Sequence, residues 1–206
     1  MRVSDVVSCG RLGCADVQAE RHVVPGPLLQ PDDVTIVMVA EAPPADPDDW
    51  FYAGRSALFA RTTVAVFRDA GEDVDSVDDL VELGVYLTTA VKCAKSDYAI
   101  STGTVRACSA LLEVELGLFP LARVLMLMGT VAIEAVNEIA RRNGEPRVVP
   151  TGATYRLHGG DFAYHGLKVI PSYLQASPAY LIERSERQLI AEDIAAALAY
   201  VRNAPS

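Results

Sequence analysis

Residues 34–40, Val-Thr-Ile-Val-Met-Val-Ala, form the mostly apolar run that decides the fold class. A short run of apolar and β-branched residues is typical of a strand that is buried on both faces of a sheet. Similar runs follow at 85–91, 122–128 and 167–171. Between and after them the sequence predicts helices at 55–70, 104–118 and 130–142, a hairpin around Gly159-Gly160, and a long last helix opened by Ser177 and Pro178.

The alternation of strands and helices predicts a parallel sheet that is covered on both faces. We therefore predict an α/β fold, a three-layer α/β/α sandwich with a central, mainly parallel four-stranded sheet. The chain has 206 residues, of which 50% are hydrophobic, and no Pro/Gly/Ser-rich linker interrupts it. We expect residues 1–206 to form a single domain around one substantial core.

Charge and cysteine content narrow the classes of function. The net charge of −9 argues against bulk attraction to nucleic acid, so any contact with DNA must be local. The apolar runs are far shorter than the roughly 20 residues of a membrane span, and the N-terminus lacks the apolar region of a signal peptide. We expect a soluble, cytoplasmic monomer without a membrane partner, whose four cysteines are buried thiols or metal ligands rather than disulfides.

Several short motifs follow the ends of the predicted strands, where ligands bind in parallel sheets. They are Ala40-Glu-Ala-Pro-Pro44, Trp50-Phe-Tyr-Ala-Gly54, Val91-Lys-Cys-Ala94, Met128-Gly-Thr130 and Pro178-Ala-Tyr-Leu-Ile-Glu-Arg184. In order and spacing, between Cys9 and Arg184, they resemble the iron–sulfur uracil-DNA glycosylases, also called family four. The resemblance implies an enzyme that flips a base out of DNA and cleaves its bond to the sugar.

Four cysteines carry the strongest part of this resemblance. Cys9 and Cys14 lie in Cys-Gly-Arg-Leu-Gly-Cys, while Cys93 and Cys108 flank a predicted loop and the first turn of a helix. Four thiolates can converge on one cubane, and the resemblance implies a [4Fe-4S] cluster that ties the N-terminus to residues 93–108. The N-terminal pair is spaced more widely than the family's Cys-X-X-Cys. The alternatives are four buried free thiols and a zinc site with four cysteine ligands.

Glu41 is the candidate catalytic residue. Cleavage of an N-glycosidic bond develops positive charge on the sugar, which a carboxylate stabilises while it orients or deprotonates a water molecule. The resemblance implies this role, because the matching residue of family four is a glutamate. The alternative is a carboxylate that caps a loop or a helix. Asp46, Asp48 and Asp49 have the pattern of a solvated loop, from which one carboxylate could assist.

The predicted base pocket departs from the family at its reading positions. The resemblance places Ala42, Pro43, Pro44, Tyr52, Thr89 and Ser177 around the base. Tyr52 replaces a phenylalanine that stacks on the base, although this tyrosine and its aromatic neighbours equally suit a core. Thr89 and Ser177 replace the asparagine and the histidine that hold uracil, and Pro44 replaces a glycine. Because a hydroxyl cannot form the paired hydrogen bonds of an amide, we expect plain uracil to be read poorly.

The remaining candidates would contact DNA. Tyr180 and Leu181 match the family's wedge, which fills the gap left by the flipped nucleotide, although Leu181 equally suits the buried face of a helix. The cations expected to form a small positive patch are Arg55, Lys92, Lys95 and Arg184. His158 or His165, near the predicted hairpin, could replace the missing imidazole.

Together these features predict a monofunctional DNA glycosylase that uses Glu41 and water to hydrolyse the bond between deoxyribose and base. The altered reading positions favour a substrate other than plain uracil alone, such as a substituted cytosine in phage DNA, which would give a role in defence. The alternatives are a family-four repair enzyme for uracil or hypoxanthine, a lesion-binding paralogue without activity, and a zinc protein unrelated to bases.

Overall fold

The computed structural model describes residues 1–10, 14–96, 99–152, 154–176 and 184–203. Five strands form its main sheet: β2 (Ile36–Ala40), β3 (Val85–Thr89), β5 (Val124–Met128), β6 (Phe162–Tyr164) and β7 (Leu167–Ser172). Their order is β3-β2-β5-β7-β6, in which the first four are parallel and β6 is antiparallel to β7. The predicted α/β fold is confirmed, and one antiparallel edge strand extends the four-stranded sheet.

Helices cover both faces of this sheet. Helices α1 (Leu58–Asp69) and α6 (Arg184–Asn203) pack together on one face, and α3 (Thr102–Leu116) and α4 (Thr130–Arg142) pack together on the other. Successive strand residues point to opposite faces, so Ile36 and Met38 join the first core and Val37 and Val39 join the second. Both faces are buried, which explains why the strand sequences are apolar without alternation. No described helix is long and apolar enough to cross a membrane.

Three local features differ from the sequence prediction. The hairpin turns at His165-Gly166, both with positive φ, whereas the region of Gly159-Gly160 follows the short helix α5 (Thr154–Leu157). Helix α2 (Val77–Glu82) precedes β3, and β1 (Val17–His22) pairs with β4 (Cys93–Lys95) in a small second sheet. These elements are short, and β1 is largely exposed and polar, so they lack the periodic apolar pattern that predicts an element from sequence. The predicted start of the last helix, at Ser177 and Pro178, lies outside the described residues.

Candidate functional site

Glu41 lies directly after β2, where the chain continues beside the segment that follows β3. Ala40 stands opposite Thr89 in the ladder. The pairing extends past the strand ends, because the Ala90 N–H donates to the Ala40 carbonyl at 2.8 Å and the Val91 N–H donates to the Glu41 carbonyl at 3.0 Å. The catalytic candidate and the base-reading candidate are therefore held at the same edge of the sheet, at the carboxyl ends of adjacent parallel strands.

The Glu41 carboxylate has a cationic partner. Lys95 Nζ lies 3.3 Å from Glu41 Oε1, and the two side chains are 38% and 20% exposed, respectively. Lys95 belongs to β4 in the small sheet, so two separate sheets supply the pair. The carboxylate remains within reach of solvent, as a group that must orient a water molecule requires. Lys95, predicted as a DNA contact, is thus placed beside the catalytic candidate.

The other predicted base-pocket residues near this edge are mostly buried. Ala42 and Pro43 are buried and Pro44 is half-buried, so the turn after Glu41 is packed into the protein. Thr89 is fully buried, and within the described ranges its Oγ1 has no hydrogen-bond partner. A buried hydroxyl without a partner costs free energy. Ser177 lies outside the described residues.

The acidic loop has a local structural function. Asp46 Oδ1 accepts a hydrogen bond from the Asp48 N–H at 3.0 Å and so caps a short 3-10 helix, Pro47–Asp49. Asp49 Oδ1 accepts from the Leu58 N–H, also at 3.0 Å, and satisfies a donor at the start of α1. Asp46 and Asp48 are exposed. Asp46 and Asp48 are therefore placed as in a solvated loop, whereas Asp49 is half-buried and caps α1.

Tyr52 is anchored by a contact that the sequence did not predict. Its hydroxyl donates to the Leu87 carbonyl and accepts from the Leu87 N–H, both at 3.0 Å. Strand β3 is an edge strand of the main sheet, so the hydroxyl pairs backbone groups that have no neighbouring strand. Burial raises the pKa of the phenol far above its usual range, which keeps the hydroxyl protonated. Trp50 and Phe51 are buried and contact the Tyr52 ring edge-on.

Lys92 does not fit the prediction of a DNA contact, because its side chain is completely buried. Its ammonium pairs with Glu115 of α3, which is equally buried, and donates to Thr88 Oγ1 at 2.8 Å and to the Thr89 carbonyl at 2.5 Å. Glu115 Oε1 also accepts from the hydroxyls of Tyr86, at 2.5 Å, and Thr88, at 2.8 Å. Lys92 therefore joins the end of β3 to α3 inside the protein, and phosphate cannot reach it there.

The four cysteines come from three segments of the chain and face one region. Cys93 and Cys108 are buried, and Cys9 and Cys14 are half-buried. Burial raises the pKa of Cys93 to about 11, and the nearby Cys108, Cys9 and Cys14 thiols add to the effect. Cys9, Cys14 and Cys108 also line one cavity of about 660 Å³. Even so, among the described residues no three histidine, cysteine, aspartate or glutamate side chains are close enough to hold a metal ion.

Of the other residues predicted to contact DNA, the structure describes only the two arginines. Arg55 is exposed beside α1, and Arg184 is exposed at the first residue of α6. Tyr180 and Leu181, the predicted wedge, lie outside the described residues. The two arginines therefore remain available to a ligand, and the wedge stays a prediction.

His158 and His165, the candidates to replace the missing imidazole, each contact a carboxylate in another part of the fold. His165 stacks on Tyr164 and contacts Glu145 at 2.7 Å in the β6–β7 turn. His158 Nδ1 lies 3.1 Å from Oδ1 of Asp193, a buried residue of α6. Burial raises the pKa of Asp193, although Ser172 and His158 act in the opposite direction. Sequence reasoning missed Asp193, because it is one carboxylate in a helix that carries several.

Comparisons with known proteins show sequence similarity over part of the chain. No protein-family model matches the chain. A type-5 uracil-DNA glycosylase from Thermus thermophilus is 42% identical over 85 residues, which are 40% of this chain and 38% of that protein. The wild-type UNG crystal structure from Nitratifractor salsuginis aligns with a TM-score of 0.41 and 14% identity, covering 82% of this chain and 75% of that chain. Over those 85 residues the chain is similar to a uracil-DNA glycosylase, and the matched segment spans less than half of either protein.

Proposed function

We propose that the protein is a DNA glycosylase that hydrolyses the N-glycosidic bond of a flipped base and leaves an abasic site. The observation that carries the proposal is the pair formed by Glu41 and Lys95 at the carboxyl edge of the sheet, beside the buried Thr89. A solvent-accessible carboxylate at this edge is what the chemistry of glycosidic cleavage requires. The 85-residue likeness to a type-5 uracil-DNA glycosylase supports the same class of reaction.

In this reaction the bond between C1′ of deoxyribose and the base nitrogen breaks, and its electron pair leaves with the base. The Glu41 carboxylate stabilises the positive charge on the sugar and accepts a proton from water as the water oxygen bonds to C1′. The departing base takes up a proton from solvent and Glu41 returns its proton to solvent, so a sugar hemiacetal and a neutral base result. Lys95 holds the carboxylate in place through its contact at 3.3 Å.

We propose that the preferred base is not plain uracil. The side chain at position 89 is a buried threonine, whose hydroxyl can donate one hydrogen bond to a base but cannot present an amide's adjacent donor and acceptor. The threonine side chain is also shorter than that of asparagine, so it would extend less far toward a substituent on the base. A substituted cytosine as the preferred base would favour a role against phage DNA, whereas uracil or hypoxanthine would favour repair.

The test is a single-turnover assay on oligonucleotides that carry uracil, hypoxanthine or substituted cytosines, followed by alkaline cleavage of abasic sites. We expect release of at least one modified base to exceed release of uracil. In Thr89→Asn the uracil rate should rise, or the rate on a bulky base should fall. Rapid uracil release that this substitution leaves unchanged would refute the substrate assignment. Binding to a modified base without any release would instead identify a lesion-binding paralogue.

We also propose that Cys9, Cys14, Cys93 and Cys108 hold a [4Fe-4S] cluster. Four thiols on three segments supply the donor set of a cubane, and Cys9, Cys14 and Cys108 line one cavity. The described side chains are not at ligand distance, so binding would require them to close around the cluster. Bound there, the cluster would tie the N-terminal segment to β4 and α3.

Protein purified without oxygen tests the cluster. We expect about four irons per chain and a broad thiolate-to-iron absorption band, both of which Cys93→Ala and Cys108→Ala should lose. Both variants should also melt at a lower temperature, because the cluster joins distant segments. Ser109→Ala, next to Cys108, serves as the control and should keep its iron. Colourless protein with bound zinc would show that the four-cysteine zinc alternative is right.

A further inference from the structure

One short segment of the chain contacts Glu41 at two separate points. The Val91 N–H donates to the Glu41 carbonyl at 3.0 Å, and the Lys95 ammonium lies 3.3 Å from the Glu41 carboxylate. The same segment begins at Thr89, the base-reading candidate at the end of β3. The position of residues 89–95 therefore affects both the backbone from which the Glu41 side chain extends and the cation that its carboxylate meets.

Lys92 fixes this segment between the two contact points. Its ammonium has three N–H donors, and three acceptors surround it: Thr88 Oγ1 at 2.8 Å, the Thr89 carbonyl at 2.5 Å and the Glu115 carboxylate. The Lys92 carbonyl accepts from the Val23 N–H at 2.7 Å. The side chain of Lys92 thus holds the segment to β3 and α3, while its backbone holds the segment to the chain that follows β1.

The carboxylate that receives Lys92 is itself fixed from several sides. Glu115 Oε1 accepts from the Tyr86 hydroxyl at 2.5 Å and from the Thr88 hydroxyl at 2.8 Å, and all four side chains are completely buried. Glu115 is the next-to-last residue of α3, where the negative end of the helix dipole disfavours a carboxylate. The stability of α3 therefore does not explain why a glutamate occupies this position.

A buried ion pair is also an inefficient way to stabilise a core. Removing both charges from water costs free energy that their mutual attraction only partly returns, and apolar residues of similar volume often stabilise a protein as well or better. The pair instead provides a fixed geometry, because each N–H of the ammonium points to one acceptor. Fixed geometry matters most where reacting groups must be held accurately.

We infer that Lys92 is a positioning residue of the proposed glycosylase. It contacts neither base nor sugar, because it is completely buried. It holds residues 89–95 to the core, so that Val91 and Lys95 keep their contacts with Glu41 and the Glu41 carboxylate keeps one orientation. The inference rests on the proposed function and assigns to that reaction a charge that DNA cannot reach.

The test uses a variant whose buried network carries no charge, Lys92→Met/Glu115→Gln. Amide hydrogen exchange of residues 90–95 should become roughly tenfold faster or more, because the segment opens locally, and exchange in α4 should not change. The single-turnover rate on the base that the wild type releases fastest should fall about tenfold or more through the loss of orientation. The affinity for the same oligonucleotide should not change, because the network does not contact DNA.

A smaller change supplies the same comparison even where the double variant does not fold. Thr88→Val keeps the volume of the side chain but removes the hydroxyl that lies between Lys92 and Glu115, so the rate should fall. Thr88→Ser keeps the hydroxyl and should retain the rate. Equal rates in the two variants would overturn the inference.

A second pair of measurements links Lys92 to Glu41. Lys95→Met should lower the rate less in the Lys92→Met/Glu115→Gln background than in the wild type, because Lys95 is already displaced there. Independent effects of the two changes would overturn the inference. A loss of iron in the double variant would place the effect at Cys93 and would also overturn it.

Another buried network provides the matched control. Asn137 of α4 accepts from the N–H groups of Val148 and Val149, at 2.9 and 3.1 Å. Asn137→Ala should lower the urea midpoint of unfolding but leave the rate and the exchange of residues 90–95 unchanged. An equal loss of rate in this variant would show that the rate follows stability alone, and the positioning role would be wrong.

The outcomes separate this inference from the proposed function. If exchange of residues 90–95 is not faster in the double variant, or if its rate is retained despite faster exchange, Lys92 does not position the site. If exchange becomes faster but the wild type releases no base from any substrate, the anchoring by Lys92 stands and the glycosylase function fails.

Discussion

The Lys95 ammonium lies 3.3 Å from the Glu41 carboxylate, although the two residues belong to different sheets. Glu41 directly follows β2 of the main sheet, and Lys95 is the last residue of β4 in the small sheet. Both side chains are partly exposed, so the pair contributes little to the free energy of folding. We expect the pair to orient the Glu41 carboxylate, because a fixed Lys95 partner restricts the directions in which the carboxylate can point.

The first prediction concerns Glu41. Glu41→Gln keeps the shape of the side chain but removes the charge that stabilises the sugar cation, so the single-turnover rate should fall about 100-fold or more. DNA affinity should change little, because the glutamine occupies the same volume. Asp46→Asn, in the exposed acidic loop, is the control and should retain the wild-type rate. An unchanged rate in Glu41→Gln would move the catalytic role to another residue.

The second prediction concerns the buried pair of Lys92 and Glu115. Lys92→Met or Glu115→Gln alone leaves an uncompensated charge or an incomplete network in the core, and each should lower the free energy of unfolding by about 3–5 kcal/mol. The double variant Lys92→Met/Glu115→Gln should recover much of this loss, because neither charge then remains buried. Urea denaturation of the four proteins gives the coupling energy. Lys95→Met provides an exposed comparison, with an expected loss below about 1 kcal/mol. Additive single effects would show that the two groups do not interact.

The third prediction concerns the hydroxyl of Tyr52. Tyr52→Phe removes the group that pairs with the Leu87 N–H and carbonyl, so the free energy of unfolding should fall by about 1–2 kcal/mol. The ring remains, and base release should therefore stay within about twofold of the wild type. Tyr52→Ala removes the ring as well and should weaken oligonucleotide binding, since stacking contributes about 1–3 kcal/mol per base. Thermal unfolding and anisotropy measure the two effects separately. Equal stability of Tyr52→Phe and wild type would show that water replaces the hydroxyl at no cost.

The fourth prediction concerns the pH dependence of stability at Asp193. Burial raises the pKa of its carboxyl in the folded protein, so the folded state binds the proton more tightly than the unfolded chain. The resulting stabilisation is present at pH values below the unfolded pKa and is lost as the pH rises through the raised pKa. Asp193→Asn has no proton to lose, and its stability relative to the wild type should therefore increase with pH. Melting temperatures of both proteins between pH 4 and pH 8 test the difference. A constant difference across this range would contradict the raised pKa.

Much of the architecture could be predicted from the sequence, because a strand buried on both faces must be apolar at every position. The run at 34–40 contains the observed strand and the helix at 130–142 has the predicted bounds, since the first is mostly apolar and the second is long and amphipathic. Short polar elements such as β1 could not be predicted, because their stability depends on partners far away in the chain. The hairpin was misplaced for a related reason. Two glycines at 159–160 suggested a turn, but the pairing of β6 with β7 places it at His165-Gly166.

The sequence by itself determined the candidate site in outline, because residues that follow parallel strands must gather at one edge of the sheet. It placed Glu41 and Thr89 there. Only the tertiary structure decided the roles of the two neighbouring lysines. Lys92 and Lys95 are three residues apart and equally charged, yet one is buried against Glu115 and the other reaches Glu41. Their different environments depend on α3 and on the small sheet, which come from distant parts of the chain. The sequence at a position determines the charge of its side chain. The packing of distant segments decides whether that charged group contacts solvent, substrate or a buried partner.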